Sequence, residues 1–232
     1  HCTVTWGAGV YGITMGHGAG SQVKNCTVWN TTKAGSGYGG TGIRSDNRYV
    51  LPATSAVQNC ISVNTGAGAE DFNFTNSYSA FPTHEYNMSA DSSATGTNSI
   101  TGVSDSTQFV STVGGSEDLR LKAGSDAIGV GTDLGTTDDV NLDINGLDRD
   151  FSTSIVWDMG AHQYRVTTSI GTTARDYSTI TLWEAAIGGT AGGAENDVVG
   201  EMYNDSAFDE GFVISDTTPD SIKLTVASGE EH

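Results

Sequence analysis

The chain has 232 residues, with 31 glycines, three prolines, 36% hydrophobic residues and a formal net charge of −18. Such acidity repels a phosphate backbone and excludes nucleic acid as an expected partner. No apolar run approaches the length of a membrane span, and no signal peptide is visible.

Residues 1–64 carry a phrase said twice. Ser21-Gln22-Val23-Lys24-Asn25-Cys26 returns 34 residues later as Ser55-Ala56-Val57-Gln58-Asn59-Cys60. Each copy runs on into a β-rich tail, Thr27-Val28-Trp29-Asn30 and Ile61-Ser62-Val63-Asn64, and a truncated copy opens the chain as His1-Cys2-Thr3-Val4. Upstream of the long copies, Tyr11-Gly12-Ile13 matches Thr41-Gly42-Ile43. Repeats of this length, made of short strands and Gly-rich turns, predict rungs stacked on one another, with an insertion in the outer loops of the second. Equivalent positions of stacked rungs lie one strand spacing apart. Cys2, Cys26 and Cys60 should therefore form an inward ladder beside Val23 and Val57, the thiols behaving as small buried hydrophobes. A disulfide between neighbours is the alternative, since strand spacing falls within its Cα range and secretion favours oxidation. Zinc is not expected, because no Cys-x-x-Cys occurs and His17 and His84 lack ligand spacing.

Chemistry is sparse along these rungs. Asp46 between Arg44 and Arg48 reads as a loop ion pair, since the further acids that a lyase would need do not accompany it. His84-Glu85 has no nucleophile beside it, and no Gly-x-Ser-x-Gly occurs. Trp6, Trp29 and Tyr38 could stack on sugar rings, although such aromatics more often serve as core or rung caps. Asn-x-Ser/Thr sequons stand at Asn25, Asn30, Asn73, Asn87 and Asn204, close to chance for this composition, with Asn25 expected to serve the rung turn. Residues 65–116 lose the repeat. They are expected to form an irregular final rung or cap, anchored by Phe72, Phe74, Tyr78, Phe81 and Tyr86.

A signature follows. Leu119-Arg120-Leu121-Lys122-Ala123-Gly124-Ser125-Asp126-Ala127-Ile128-Gly129-Val130-Gly131 leads to Asp143-Ile144-Asn145-Gly146, then to Trp157-Asp158-Met159-Gly160-Ala161-His162-Gln163-Tyr164. This resembles the ending of secreted right-handed parallel β-helix proteins of the pectate-lyase-like superfamily, roughly L-K-x-G-S-P-A-I-x-x-G, D-x-x-G-x-x-R, D-I-G-A-x-E-Y. Asp126, Met159 and Gln163 depart from that pattern, where Pro, Ile and Glu are usual. The resemblance covers about residues 1–164 and implies an all-β fold, a right-handed parallel β-helix or solenoid, of which those residues form the C-terminal part. It is not specific for catalysis, because many such proteins are surface, adhesive or phage-fibre-like proteins without known activity. Within the signature, Asp139, Asn141, Asp143 and Asn145 alternate as oxygen ligands do in a calcium loop. The fit is imperfect: position 6 is Ile144 where Gly is required, and position 12 is the short Asp150. Asp143 and Gly146 also read as a turn, with Arg149 available to pair an acid. Calcium is thus the one cofactor considered.

After a junction at 165–168, residues 169–232 look like the start of a following β-helix domain. Ile180, Trp183 and Ile187 fall on one face of a capping α-helix near 178–187, with Ser178 or Thr179 as N-cap and Gly188-Gly189 as stop. Strands are expected at Asp197–Tyr203, Phe212–Ser215 and Ser221–Ala227. A start at His1 inside a rung and a stop inside the next β-helix read as a window cut from a longer tandem array. Both ends would leave unpaired strand edges, which head-to-tail stacking or covalent repetition would cover. The expected function is that of a non-enzymatic structural or adhesive repeat unit of an extracellular, cell-surface or virion-associated fibre, with surface glycans as further partners. The alternatives are a carbohydrate-active β-helix, as in some tailspikes, and a passive glycan-binding module.

Overall fold

β-Branched pairs and triplets set between glycines and asparagines are too short for helices and long enough for one strand each. The computed structural model describes residues 2–4, 7–8, 11–15, 20–32, 40–45, 54–63, 70–74, 83–137, 140–146, 148–149, 157–187, 197–204 and 221–227. It divides into two compact units, residues 1–149 with 156–163, and residues 150–155 with 164–232.

In the first unit the chain makes successive passes. The first contains β1 (Cys2–Val4), β2 (Gly7–Ala8), β3 (Ile13–Met15) and β4 (Gln22–Lys24). The second contains β5 (Cys26–Trp29), β6 (Thr31–Thr32), β7 (Ile43–Ser45) and β8 (Ala56–Gln58). The third contains β9 (Ile61–Val63), β10 (Phe72–Asn73) and β11 (Thr83–Glu85), and β12 (Met88–Ser89) follows. Each strand pairs with its counterpart one pass away, giving sheets β1-β5-β9-β12, β2-β6, β3-β7-β10 and β4-β8-β11. Every one of these pairs is parallel. The fold is thus mostly β and built on parallel sheets.

The registers set equivalent residues of successive passes opposite one another. Cys2 lies opposite Cys26, and Thr27 opposite Ile61 carries the register back to Cys60. Val23 pairs with Val57, and Ile13, Ile43 and Phe72 follow one another. Met15, Val23, Cys26, Val28, Ile43, Val57, Cys60, Phe72 and Ala94 close into one buried cluster. The Cys60 thiol donates to Gln58 O and Val23 O, and the Cys26 thiol to Lys24 O. The side chain of Cys2 lies outside the described residues.

The third pass is more regular than its sequence suggests, because different residues fill the same positions. Gly42 has no room for a side chain: an added Cβ would overlap Ser62 Oγ and lie 2.7 Å from Asp71 O. Its counterpart one pass on is Asp71, by the pairing of Phe72 with Ile43. The valine position of the phrase is taken by His84, the asparagine position by Tyr86 and the cysteine position by Asn87, next to Met88 opposite Ile61. Asn87 is buried and completes the ladder with hydrogen bonds, its amide donating to Val57 O and accepting from Cys60 N. Of the expected aromatic anchors, Phe72 is buried and stacks on Phe74, while Tyr78 and Phe81 lie outside the described residues.

Residues 90–103 then run along the exposed side of this pass and satisfy its donors. Asp71 Oδ2 accepts from Ala90 N and Asp91 N. Asp71 N donates to Asp91 Oδ2 and Phe72 N to Ser93 Oγ. Tyr86 N donates to Thr97 O, Ser89 N to Ile100 O and Ile100 N to Asn87 O. A helical turn α1 (Asp105–Gln108) and an antiparallel hairpin of β13 (Phe109–Ser111) and β14 (Asp118–Leu121) follow.

In the second unit β15 (Arg165–Ile170), β16 (Asp197–Met202) and β17 (Ser221–Val226) form a parallel sheet in chain order. The stretch expected as a junction, 165–168, is the beginning of β15. Helix α2 (Ile180–Ile187) starts at Thr179, whose hydroxyl accepts from Leu182 N, the capping bond its sequence predicts. Trp183 is fully buried with Ile170, Ile180 and Val198. Phe212–Ser215 and Gly188-Gly189 lie outside the described residues.

Candidate functional site

Two features bear on function: a polar clamp on the four-stranded sheet, and the strand edges of the two units.

The clamp begins with the asparagines of the repeated phrase. Asn25 and Asn59 stand in the left-handed region, at φ 49° and 53°, where asparagine is tolerated better than most residues. That turn directs their amides away from the ladder interior. Asn59 grips the backbone of Thr132 from both sides, donating to Thr132 O at 2.7 Å and accepting from Thr132 N at 2.9 Å. Asn25 donates to Val140 O at 2.6 Å. The residues held are those of the C-terminal signature. Ala161 N donates to Thr27 Oγ1 and Gly160 N to Asn59 O. Gly160 has φ 94°, and a Cβ there would lie 2.7 Å from Ile61 Cδ1, so the signature approaches the sheet where only glycine fits. As a result Thr27, Trp29, Ile61, Val63 and Met88 are all buried. Strands β5, β9 and β12 are covered on both faces.

The charged residues of the signature hold the clamp's own loops together. Arg149 is fully buried and donates to Asp158 O, Gly160 O and Gln163 Oε1. Asp158 accepts from Gly129 N at 2.7 Å, and Asp143 accepts from Asn145 N and Gln163 N. Gln163, where the resembled pattern has Glu, accepts from Asp158 N as well. Asp126, another, accepts from the buried Gln108 amide. Burial holds the His162 imidazole below its ordinary value; Asp143 opposes this, and Arg120 and Arg149 add to it.

Of the four oxygen ligands expected for calcium, Asp139 lies outside the described residues. Asn141 donates to Asp148 Oδ1, Asp143 is buried in the turn bonds just given, and the Asn145 amide lies 3.4 Å from His162 Nδ1. Among the described residues no three His, Cys, Asp or Glu side chains group as a metal site. Arg44 lies 3.9 Å over the Tyr11 ring, whereas Asp46 and Arg48 are outside the described residues. His84 packs on Phe74, its Nε2 3.1 Å from Thr95 Oγ1. Trp29 is no sugar platform: it is 4% exposed and its indole N–H donates to Asp105. Trp6 and Tyr38 are outside the described residues. Two of the sequon asparagines, Asn25 and Asn87, are buried and committed to hydrogen bonds, so a glycan could not be accommodated there in the folded state.

The edges differ. Residues 90–103 cover the third pass, whereas β1 pairs only with β5 and β17 only with β16 among the described strands. Beneath β17 the core is incompletely closed. Ile222 and Leu224 pack against the buried cluster of the second unit yet stay partly exposed, and Val226 is 44% exposed. At the other edge of that sheet Tyr177 bridges Ile170, and Asp176 accepts from Ser169 N and Ser169 Oγ. The Ser169 backbone N–H, and then its hydroxyl, hold the Asp176 carboxyl below its usual range. The asparagine clamp escaped the sequence reading because it joins residues 73 and 115 positions apart. The available signal was that asparagine recurs at this turn in both copies of the phrase. Comparison with protein-family models, with curated proteins and with solved structures finds no match to the chain.

Proposed function

We propose that the passes of the first unit are rungs of a right-handed parallel β-helix, and that the chain is a non-enzymatic structural or adhesive repeat unit of an extracellular, cell-surface or virion-associated fibre. Its units meet end to end, rung on rung. The observation that supports this is the parallel stacking of like on like from pass to pass, Cys2 on Cys26, Val23 on Val57 and Ile13 on Ile43, a pairing that further passes can continue. An uncovered parallel edge presents a row of backbone donors and acceptors, and a strand from another unit satisfies them at once. A contact between two different edges is head to tail, and such contacts run on into a filament where the rotation does not close a ring. Multi-angle light scattering of the purified chain across a concentration series tests the reading. Mass should grow with concentration without a plateau at the dimer. A stable monomer throughout would overturn it.

A further inference from the structure

We propose that Asn145-Gly146 is a site of spontaneous backbone modification. The Gly146 nitrogen attacks the Asn145 side-chain carbonyl, expels ammonia and leaves aspartate or isoaspartate in an exposed turn. The reaction does not depend on how units assemble. Asn145-Gly146 is the one Asn-Gly step in the chain. Attack needs a backbone nitrogen whose approach no side chain crowds, and glycine supplies it. Both residues are exposed. Gly146 stands at φ 74°, and a Cβ built on it would meet nothing within 4 Å. Other asparagines lack one or both conditions. Asn25, Asn59 and Asn87 are buried with their amides committed to backbone carbonyls. Asn98 and Asn204 are exposed, but Ser99 and Asp205 follow them.

The turn shapes both the step and its consequence. Gly146 N donates to Asp143 O at 3.0 Å, a bond at an exposed residue, and such bonds open locally without global unfolding. A bond then forms between Gly146 N and Asn145 Cγ, and the Cγ–Nδ2 bond breaks. The proton lost by Gly146 N is returned to the departing nitrogen as ammonia. His162 Nδ1, 3.4 Å from Asn145 Nδ2, is placed to carry that relay. Water opens the resulting succinimide at either carbonyl, giving aspartate or isoaspartate, so water is the only co-reactant. Isoaspartate adds a carbon to the main chain within a turn that the clamp uses. There Asn145 N donates to Asp143 Oδ1 and Ile144 N to Ala161 O, while Ala161 N donates to Thr27 Oγ1. The longer chain therefore loosens the signature where it meets the sheet.

The test is timed incubation of the full chain at neutral and mildly alkaline pH, followed by peptide mapping with mass detection. Asn145→Gln, Gly146→Ala and His162→Gln are treated alike, with circular dichroism melts at the start to show that each is folded. The mass gain of an amide-to-acid change should accumulate at Asn145 ahead of every other asparagine, divided between aspartate and isoaspartate. Asn145→Gln should abolish it, because the longer side chain does not close the five-membered ring. Gly146→Ala should slow it by about tenfold or more, since a Cβ crowds the attacking nitrogen. His162→Gln should slow it by a smaller factor. Amide exchange at Ala161 should be faster in the isoaspartate fraction than in the fresh chain. An Asn145 that stays unmodified, or a faster site elsewhere, would overturn the proposal. An unchanged rate in His162→Gln would remove the proton relay alone, and unchanged Ala161 exchange would remove the link to the clamp.

Discussion

The third-pass edge of the first unit and the β17 edge of the second flank the same kind of parallel stack, and the described residues treat them differently. Over the third pass, Asp91, Ser93, Ser99 and the carbonyls of Thr97 and Ile100 accept from backbone N–H groups of the pass, and Asp71 accepts in return from Ala90 N and Asp91 N. Over β17 the described residues supply none, and Ile222, Leu224 and Val226 stay part-exposed. A stack whose pairing repeats at each pass has no intrinsic reason to stop. What ends it is a segment whose side chains imitate the next strand's acceptors without offering a new edge of their own. The first unit has such a segment, and its second-unit counterpart is absent from the described residues.

The most severe way to break this contrast is to dislodge the covering segment. Gly96 lies so close to the preceding pass that an added Cβ would overlap His84 O and come within 2.5 Å of His84 C. Both are backbone atoms held in β11 and cannot yield as a flexible side chain would. Gly96→Ala should cost about 3 kcal/mol or more in urea denaturation. The same variant should convert a covered edge into an open one, so its scattering mass should exceed the parent's at equal concentration. Loss of stability without added association would show that the cover is packing alone.

The clamp offers an intermediate test, because its two asparagines share a turn and differ in their bonds. Asn59 makes two hydrogen bonds to Thr132 and Asn25 makes one to Val140. Asn59→Ala should therefore cost about 2–3 kcal/mol and Asn25→Ala about 1–2 kcal/mol, each including the left-handed turn. Asn59→Gly restores the turn and not the clamp, so it should recover only part of the loss. Equal costs for the two alanine variants would mean that the turn is everything and the clamp contributes nothing. Hydrogen exchange at the Thr132 amide, faster in both Asn59 variants, separates these effects from global stability.

Much of this was legible beforehand, and the boundary is physical. Identical residues at identical positions, as at Val23 and Val57 or Cys26 and Cys60, announce their register because parallel stacking places like on like. The third pass was hidden because it keeps the geometry and changes the chemistry. A buried asparagine stands where cysteine stood, and an aspartate where glycine stood. The aspartate accepts from the covering segment, whereas the asparagine amide turns back to Val57 and Cys60 of the preceding pass. The clamp was hidden for a different reason. Backbone carbonyls carry no sequence label, so nothing in Thr132 or Val140 marks them as partners of Asn59 and Asn25. The signature residues Asp143, Arg149 and Asp158 were visible as a pattern, and the structure employs them inside the clamp's loops.

The smallest predicted effect separates what the repeated asparagine does in its turn from what it does in the clamp. Tyr86 occupies the same left-handed position as Asn25 and Asn59, at φ 53°, where a large side chain is strained and asparagine much less so. Its backbone N–H donates to Thr97 O, a bond that substitution leaves intact. Tyr86→Asn should therefore stabilise the chain by about 0.5–1 kcal/mol, read as a rise in the urea midpoint at unchanged slope. No part of that gain can come from the clamp, whose described amide contacts are made by Asn25 and Asn59. If the variant instead loses stability, the Tyr86 ring must contribute more to the end of the stack than its turn costs. Asparagine would then recur at 25 and 59 for the sake of Val140 and Thr132, with the turn a consequence of reaching them.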